Sequence, residues 1–135
     1  MTGFDIKHFV HYWVPTLLYM GLIFYFSSQS DLGISIVPIE NFDKLLHFSE
    51  YFVLCLLFYR SLVNSPTDRL SGNAVVLAIV FSLLYAVSDE FHQWFIPNRE
   101  ADILDIVADG AGAAVSQLML GARKISLKSK IPRAS

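Results

Sequence analysis

Apolar residues along this chain are gathered into four long blocks, at about residues 9–27, 45–63, 72–90 and 101–120. Each block has the roughly 17–25 residues that a helix needs to cross a lipid bilayer. None alternates apolar and polar positions over a useful length, which argues against strands. The first and third blocks also lack the polar face that a helix of a small soluble bundle needs. The pattern predicts an all-α, polytopic membrane protein, built as a bundle of four transmembrane helices.

The first block is expected to be a retained span and not a secretory signal peptide. Its apolar run is longer than a normal signal-peptide core, and no small-residue cleavage site follows it. Pro15 lies near its start, where a membrane helix tolerates proline. We expect residues 1–121 to form one four-helix transmembrane domain and residues 122–135 to form a basic cytoplasmic tail.

Composition excludes several other classes of protein. The length of 135 residues suits one domain, and a hydrophobic content of 54% with 14% aromatic residues excludes a disordered chain. A formal net charge of −2 argues against a nucleic-acid-binding protein, which needs a basic surface. The single cysteine, Cys55, excludes a disulfide framework and a thiolate metal cluster.

Basic residues are distributed unevenly between the two ends of the predicted spans. Four spans place both termini on one side of the membrane, and that side carries eight of the ten Lys and Arg residues. Only Lys44 and Arg99 fall on the other side. Because positive charges in short loops stay in the cytoplasm, this bias predicts that both termini are cytoplasmic.

Acidic residues show the opposite distribution. Ten of the twelve Asp and Glu residues map to the outer side or to the outer halves of the spans, all except Asp5 and Asp68. Acids contribute little to orientation, so topology does not explain this concentration. An ionisable side chain inside a span is costly and usually faces a polar interior. The outer end of the bundle is therefore the predicted place of a functional site.

The polar residues of this end recur at helical spacing. Residues 44, 47 and 51 follow i, i+3, i+7 in the second block, and residues 102, 105 and 109 do so at the start of the fourth. Asp89, Glu90 and Gln93 lie within about one turn at the end of the third block. Residues at these spacings share one face of a helix. With Ser27 and Ser28 from the first block, four helix ends are predicted to converge on one polar pocket.

Several nearby residues receive other interpretations. Arg99 follows an apolar connection and is expected beside the acids at 90, 102 and 105, where it either pairs with them or clamps an anion such as phosphate. Glu50 is read as a partner of His47 and not as a catalyst. Asp43 is read as a solvated loop charge, like Asp31 and Glu40. The small-residue run 108–114 is expected to be a close helix-packing surface.

Taken together, these motifs resemble those of the VanZ-like membrane proteins, over roughly residues 20–121. The matching positions are Lys44, His47, Phe48, Tyr51, Glu90, Gln93, Pro97, Arg99, Asp105, Asp109 and Gly112. The resemblance implies a bacterial protein of the cytoplasmic membrane, from a family named for low-level resistance to the glycopeptide teicoplanin and grouped with phosphatidylserine synthases. One position departs from the family pattern, since the family usually has Asn where this chain has Asp109.

The leading hypothesis is an enzyme that acts at the outer leaflet on a phospholipid or polyprenyl-linked head group. Lys44 and Arg99 would hold a phosphate, and His47 or Glu90 would act as general base or acid. Candidate catalytic residues are His47, Glu90, Asp89 and Asp105. Candidate substrate-binding residues are Lys44, Tyr51, Gln93, Arg99, Asp102, Asp109, Ser27 and Ser28.

The expected partners are membrane lipids or lipid-linked envelope precursors, and no nucleic acid. No motif has the spacing of a metal site, so no metal ligand is assigned, although carboxylates would suit Mg²⁺ or Mn²⁺. The cofactor and the oligomeric state are left open by the sequence.

Two alternatives to an enzyme are kept. One is a non-catalytic membrane binder of a lipid-linked precursor or a glycolipopeptide. The other, less favoured, is a small transporter that uses the intramembrane acids. A carrier would need polar residues that continue towards the cytoplasmic side, whereas we expect the third and fourth helices to be lined by apolar or small residues below Asp109.

Overall fold

The computed structural model describes residues 5–30, 42–99 and 101–129, with side chains described as far as residue 123. Within these ranges the chain forms helices joined by turns, and no strand. The helices are α1 (Ile6–Tyr12), α2 (Val14–Ser27), α3 (Phe42–Val63), α4 (Asp68–Gly72), α5 (Ala74–Gln93) and α6 (Ile103–Ser129).

Three helices are long and apolar enough to cross a membrane. They are α3, α5 and the Ile103–Arg123 part of α6, and the bent pair α1–α2 makes a fourth span if it is counted as one. Their outward faces are apolar: Leu18, Leu84 and Leu118 are 70%, 63% and 72% exposed. Such surfaces suit contact with lipid acyl chains and not with water. The predicted all-helical, multi-pass membrane protein is confirmed to this extent, while the side on which the termini lie stays a prediction.

The first predicted span is broken and not continuous. α1 and α2 meet at Trp13 with a bend of 42°. Pro15 has no amide hydrogen to donate to the carbonyl of His11, which ends the first helix. Arg60 Nη1 donates to that carbonyl at 3.0 Å, and Ser61 Oγ donates to the carbonyl of Tyr12 at 2.6 Å. Neighbouring side chains on α3 thus satisfy the backbone groups that the break releases.

Two further boundaries differ from the prediction. The start of the third block belongs to the short helix α4, and the spanning helix α5 begins at Ala74 and continues to Gln93. α6 continues to Ser129, so the backbone shows no break at the predicted start of the basic tail.

α3 is the central helix of the bundle, since it packs against α2, α5 and α6. Its approach to α6 is closest at Gly112, where an added Cβ would meet the carbonyl of Phe48 and lie 3.1 Å from the amide nitrogen of Phe52. On α5 the small residues Ala74, Ala78 and Ala86 are buried at intervals of one or two turns. Small residues let membrane helices pack backbone to backbone, so the predicted packing role of the run 108–114 is confirmed at Gly112.

Buried polar side chains do continue below Asp109, so the expectation of an apolar or small-residue lining there is wrong. Ser82, Ser116 and Gln117 are all buried. Gln117 Nε2 donates to the carbonyl of Cys55 at 3.4 Å and approaches its Sγ at 3.3 Å. In a bilayer, polar groups of this kind hold helices together by hydrogen bonds. Their presence removes the argument from sequence against a carrier.

Candidate functional site

A cavity of about 190 Å³ lies where the C-terminal ends of α2 and α5 meet the N-terminal ends of α3 and α6. Its wall is mixed, with apolar side chains beside carboxylates, an imidazole and a guanidinium. The lining residues are Ile23, Phe26, Ser27, Asp43, Leu46, His47, Glu50, Asp89, Gln93, Asn98, Arg99 and Asp105. The predicted convergence of polar helix ends is therefore observed.

Lys44 is the centre of an ion-pair cluster between α3 and the start of α6. Its Nζ lies 2.6 Å from Oδ2 of Asp102, 2.7 Å from Oδ1 of Asp105 and 3.1 Å from Oδ2 of Asp43. The hydrogen bond from Lys44 holds the pKa of Asp102 below its usual range. Oδ1 of Asp102 also accepts from the amide of Leu104 at 2.9 Å, which caps the N-terminus of α6. With three carboxylates around it, the Lys44 ammonium is already neutralised.

His47 connects α3 to two aspartates of α6. Its Nδ1 donates to Oδ1 of Asp109 at 3.1 Å, and its Nε2 lies 3.7 Å from Oδ2 of Asp105. Asp109 is almost completely buried, and Asp105 and His47 are buried as well. Because residues 105 and 109 are four positions apart, one face of α6 presents both carboxylates to one imidazole. Nε2 is left without a hydrogen bond among the described residues, and His47 is one of the cavity's lining residues.

The end of α5 contributes a chain of polar contacts that fixes Arg99. Gln93 Nε2 donates to Oδ2 of Asp89 at 3.2 Å, and Arg99 Nη2 donates to Oε1 of Gln93 at 2.8 Å. Asn98, the residue before Arg99, has a φ of 63°, a left-handed conformation that asparagine tolerates and that turns the backbone between Gln93 and Arg99. This turn and the Gln93 contact direct the guanidinium to the cavity wall.

Glu90 lies at the junction of α5 and α6. Its Oε2 accepts from the amide of Asp102 at 2.9 Å. Its Oε1 is buried and has no hydrogen-bonding partner among the described residues, as is also the case for Oδ1 of Asp89. With Oδ2 of Asp109, three carboxylate oxygens are thus buried at this end of the bundle without a donor among the described residues, an arrangement that is usually costly.

The remaining predicted residues divide between the cavity and its surroundings. Ser27 lines the cavity, and its Oγ has no partner in the described part of the chain. Ser28 does not line it; its Oγ bonds to the carbonyl of Phe24 at 2.6 Å and to Nε2 of His92 at 3.0 Å. Tyr51 is fully buried in the helix core and is not a lining residue.

Two interpretations from sequence change with the structure. Arg99 makes no ion pair with a carboxylate in the described ranges, so its expected pairing with the acids at 90, 102 and 105 is wrong, and Lys44 takes that role for the last two. Asp43 belongs to the first turn of α3 and pairs with Lys44, so it is not a solvated loop charge. Asp31 and Glu40 lie outside the described residues.

Glu50 and Asp43 are the two ionisable lining residues that sequence reasoning left out of the site. A signal for Glu50 was available, because it follows His47 by three positions and such residues share a helix face. For Asp43, the signal was that it precedes His47 by four positions, a spacing that also puts two residues on one helix face.

Among the described residues, His47, Glu90 and Asp105 are the group that is placed to hold a metal ion. One ligand atom from each lies within 4.8 Å of the other two, and all three residues are buried. No sequence motif indicated this group, because its members come from three different helices.

Fold and site together define a polytopic helical membrane protein with an acidic cavity at one end of its bundle. The sequence matches the VanZ/LLP1 family over residues 9–122, and the chain belongs to this family.

A relative of the chain is known from fission yeast. It is an uncharacterized protein of Schizosaccharomyces pombe that is 30% identical over 83 residues, which cover 62% of this chain. These residues amount to 49% of the yeast protein, so the chain spans about half the length of this curated relative. No solved structure matches the chain.

Proposed function

We propose that this protein binds the phosphate-bearing head group of a membrane lipid, or of a lipid-linked cell-envelope precursor, in the cavity and processes it there. Arg99 carries the proposal. Its guanidinium lines the cavity and is anchored by Gln93 alone among the described side chains, whereas Lys44 is bonded to three carboxylates. Because a guanidinium has five N–H donors, Arg99 has donors left to bind a phosphate.

The shape of the cavity supports a lipid ligand. Ile23, Phe26 and Leu46 line it beside the polar groups. Phe26 is exposed on the outer surface of α2, which would face acyl chains. A ligand with a charged head and an apolar tail matches a wall of this mixed kind.

For the processing step, His47 is the proposed general base or acid. His47 lines the cavity, Asp109 holds its Nδ1 in one orientation, and its Nε2 makes no hydrogen bond among the described residues. Asp89 and Asp105 line the same cavity, Glu90 lies beside it at the junction of α5 and α6, and the three would orient the imidazole and the ligand. General acid–base catalysis by a positioned side chain contributes about 10²–10⁴-fold to a rate.

The proposed location is the outer face of a bacterial cytoplasmic membrane, with both termini in the cytoplasm. The support is the sequence bias already described, with eight of ten basic residues on the terminal side. A link to teicoplanin resistance would follow if the ligand were an envelope precursor, and it rests on the family name alone.

A non-catalytic binder of the same ligands is the alternative. The observation in its favour is that Lys44, Asp102 and Asp105 form contacts that join α3 to α6 and would be kept in a purely structural role. A small transporter remains a third and weaker proposal, for which the buried polar residues below Asp109 are the support.

Binding is tested by lipid retention. The purified protein and the variant Arg99→Gln are released from native membranes in mild detergent, and their retained lipids are identified by mass spectrometry. Arg60→Gln is the matched control, since Arg60 lies at the opposite end of α3 and contacts His11. We expect Arg99→Gln to lose a phosphate-bearing lipid that the wild type and Arg60→Gln retain. Equal retention by all three would contradict head-group binding at this site.

Processing is tested in cells that produce wild type, His47→Ala or Asp105→Asn at equal membrane abundance. If the protein is an enzyme, cells that produce the wild type should have a membrane lipid profile different from that of cells without the protein. Cells that produce His47→Ala or Asp105→Asn should not. An unchanged profile with intact ligand retention would support the non-catalytic binder.

A further inference from the structure

We propose that His47, Glu90 and Asp105 form a binding site for one divalent transition-metal ion, at the edge of the cavity that His47 and Asp105 line. The site would take one imidazole nitrogen from α3 and one carboxylate oxygen each from α5 and α6. These three atoms lie within 4.8 Å of one another, and each of the three residues is buried. A set of this kind leaves coordination positions open for water or for an oxygen of a ligand.

The orientation of His47 fits a metal ligand. Nδ1 donates to Oδ1 of Asp109 at 3.1 Å, which leaves Nε2 directed towards Oδ2 of Asp105 at 3.7 Å. In metalloproteins a ligating histidine almost always donates its other N–H to a carboxylate, a carbonyl or water, which fixes the ring. The 3.7 Å separation is too long for a hydrogen bond. It is close to the spacing of two ligands that each lie about 2.1 Å from one ion.

An unpaired oxygen of Glu90 supports the metal site independently of the distances between the three residues. The residue is 5% exposed, and its Oε2 is occupied by the amide of Asp102. Its Oε1 is buried with no hydrogen-bonding partner among the described residues. A buried carboxylate oxygen without a donor is expensive, and a cation is the partner that would remove this cost.

Acidic side chains outnumber basic ones at this end of the bundle, which favours the binding of a cation. Two permanently cationic side chains, Lys44 and Arg99, share this end with seven carboxylic residues in the described ranges. These are Asp43, Glu50, Asp89, Glu90, Asp102, Asp105 and Asp109. A phosphate would be repelled by such an excess of acids, and a divalent ion would offset it.

The ligand set selects the class of ion. Carboxylate oxygens suit Mg²⁺, Ca²⁺ or Mn²⁺, whereas an imidazole nitrogen suits Fe²⁺ or Zn²⁺, so a set with both kinds of ligand is expected to take Mn²⁺, Fe²⁺ or Zn²⁺. Lys44 bonds to Oδ1 of Asp105 and leaves Oδ2 available on the side of His47. The ligand atoms lie up to 4.8 Å apart, which is longer than the separation of two atoms bound to one ion at about 2.1 Å each. Binding would therefore require the side chains to move closer together by about 1 Å.

This site rests on the geometry of the chain and not on the proposed function. Its use, as the group that would bring a phosphate oxygen into an acidic cavity, depends on head-group binding. When an ion occupies Nε2, His47 holds the metal and does not act as the general base or acid proposed above, so the two roles of His47 are alternatives that Mn²⁺ binding distinguishes.

The experiment uses the full chain, purified in detergent, stripped with EDTA and titrated with Mn²⁺. Electron paramagnetic resonance measures free and bound Mn²⁺, and its pulsed form detects a coupled ¹⁴N nucleus. We expect one Mn²⁺ per chain with imidazole nitrogen coupling, and competition by Zn²⁺. Bound metal should also raise the thermal unfolding temperature of the wild type.

Variants locate the ligands. His47→Gln should lose the nitrogen coupling and weaken binding by about tenfold or more. Glu90→Gln and Asp105→Asn should weaken binding to a similar degree and keep the coupling at saturating Mn²⁺. His92→Gln is the matched control, because His92 lies near the same end of the bundle but contacts Ser28 and Phe24 and does not line the cavity. It should bind Mn²⁺ like the wild type.

The proposal is overturned if the folded wild type shows no saturable Mn²⁺ binding. It is also overturned if the nitrogen coupling survives in His47→Gln, or if the affinity is unchanged in Glu90→Gln and Asp105→Asn. Thermal unfolding identifies any variant that fails to fold, and the other two variants then decide. Since no lipid is added, a negative result in lipid retention with intact Mn²⁺ binding would reject the proposed function alone.

Discussion

Nδ1 of His47 lies 3.1 Å from Oδ1 of Asp109, so a hydrogen bond between buried side chains connects α3 and α6 just inside the cavity. The contact forms where the two helices pack closely, one turn before Gly112 on α6. Close backbone packing and a fixed imidazole are therefore parts of the same interface.

Substitution of Asp109 tests how much of this contact is hydrogen bonding. Asp109→Asn keeps an oxygen that accepts from Nδ1, and Asn is the residue that the VanZ resemblance implies at this position. Asp109→Leu has a similar size and no acceptor. We expect Asp109→Asn to unfold within a few degrees of the wild type, and Asp109→Leu to lose about 1–3 kcal/mol because buried Nδ1 is left unpaired.

Thermal unfolding in detergent, followed by size-exclusion chromatography, measures both variants. Equal stability of Asp109→Asn and Asp109→Leu would show that the hydrogen bond contributes nothing to the fold.

The effects of substituting Lys44 and Asp105 on the stability of the protein are expected to be coupled, because the two side chains form an ion pair. Lys44→Gln leaves the carboxylates of Asp43, Asp102 and Asp105 without their ammonium partner, so it should destabilise the bundle. Asp105→Asn in the same chain should recover part of the loss, because one of the repelling charges is removed. A double-mutant cycle from unfolding data should give a coupling energy of about 1 kcal/mol. Strictly additive effects would contradict a direct interaction.

Gly112 should be intolerant of any side chain. In Gly112→Ala the new Cβ would meet the backbone of Phe48 and Phe52, which cannot move aside as the end of a flexible side chain can. We expect a clear fall in the yield of monodisperse protein and in the unfolding temperature. Gly121→Ala is the matched control on the same helix, since no atom lies within 4 Å of its added Cβ. Because Ala favours the helix more than Gly does, helix propensity alone would stabilise both variants, so an unchanged or raised stability of Gly112→Ala would contradict the close contact.

Membrane orientation is predicted from the basic residues alone and is directly measurable. Reporter domains that are active on only one side of the membrane, fused at each terminus, should both report the cytoplasm. A cysteine placed at Asn98 in a Cys55→Ser background should react with an impermeant thiol reagent added from outside, because Asn98 is exposed beside the cavity. A cysteine at Asn64, exposed at the opposite end of α3, should be protected in intact cells. The reverse labelling pattern would overturn the predicted topology.

The helix break at Pro15 shows where reading the sequence was sufficient and where it was not. The apolar block 9–27 correctly indicated a length that can cross a bilayer, since length and hydropathy are properties of the local sequence. That the block bends by 42° depends on Arg60 and Ser61, which satisfy the released carbonyls from another helix. A single proline inside an apolar run does not determine whether such partners exist.

By itself, the sequence determined the helical class, the approximate positions of the spans and most of the polar residues that meet at one end. Apolar length and helical spacing depend on neighbours within a few turns, and they are visible in a linear chain. Only the tertiary structure decided which charge pairs with which: Lys44 with Asp102 and Asp105, His47 with Asp109, and Arg99 with Gln93. Those choices depend on how each helix is rotated and how deeply it lies against its neighbours. Contacts such as that of Gly112 with α3 set this rotation and depth.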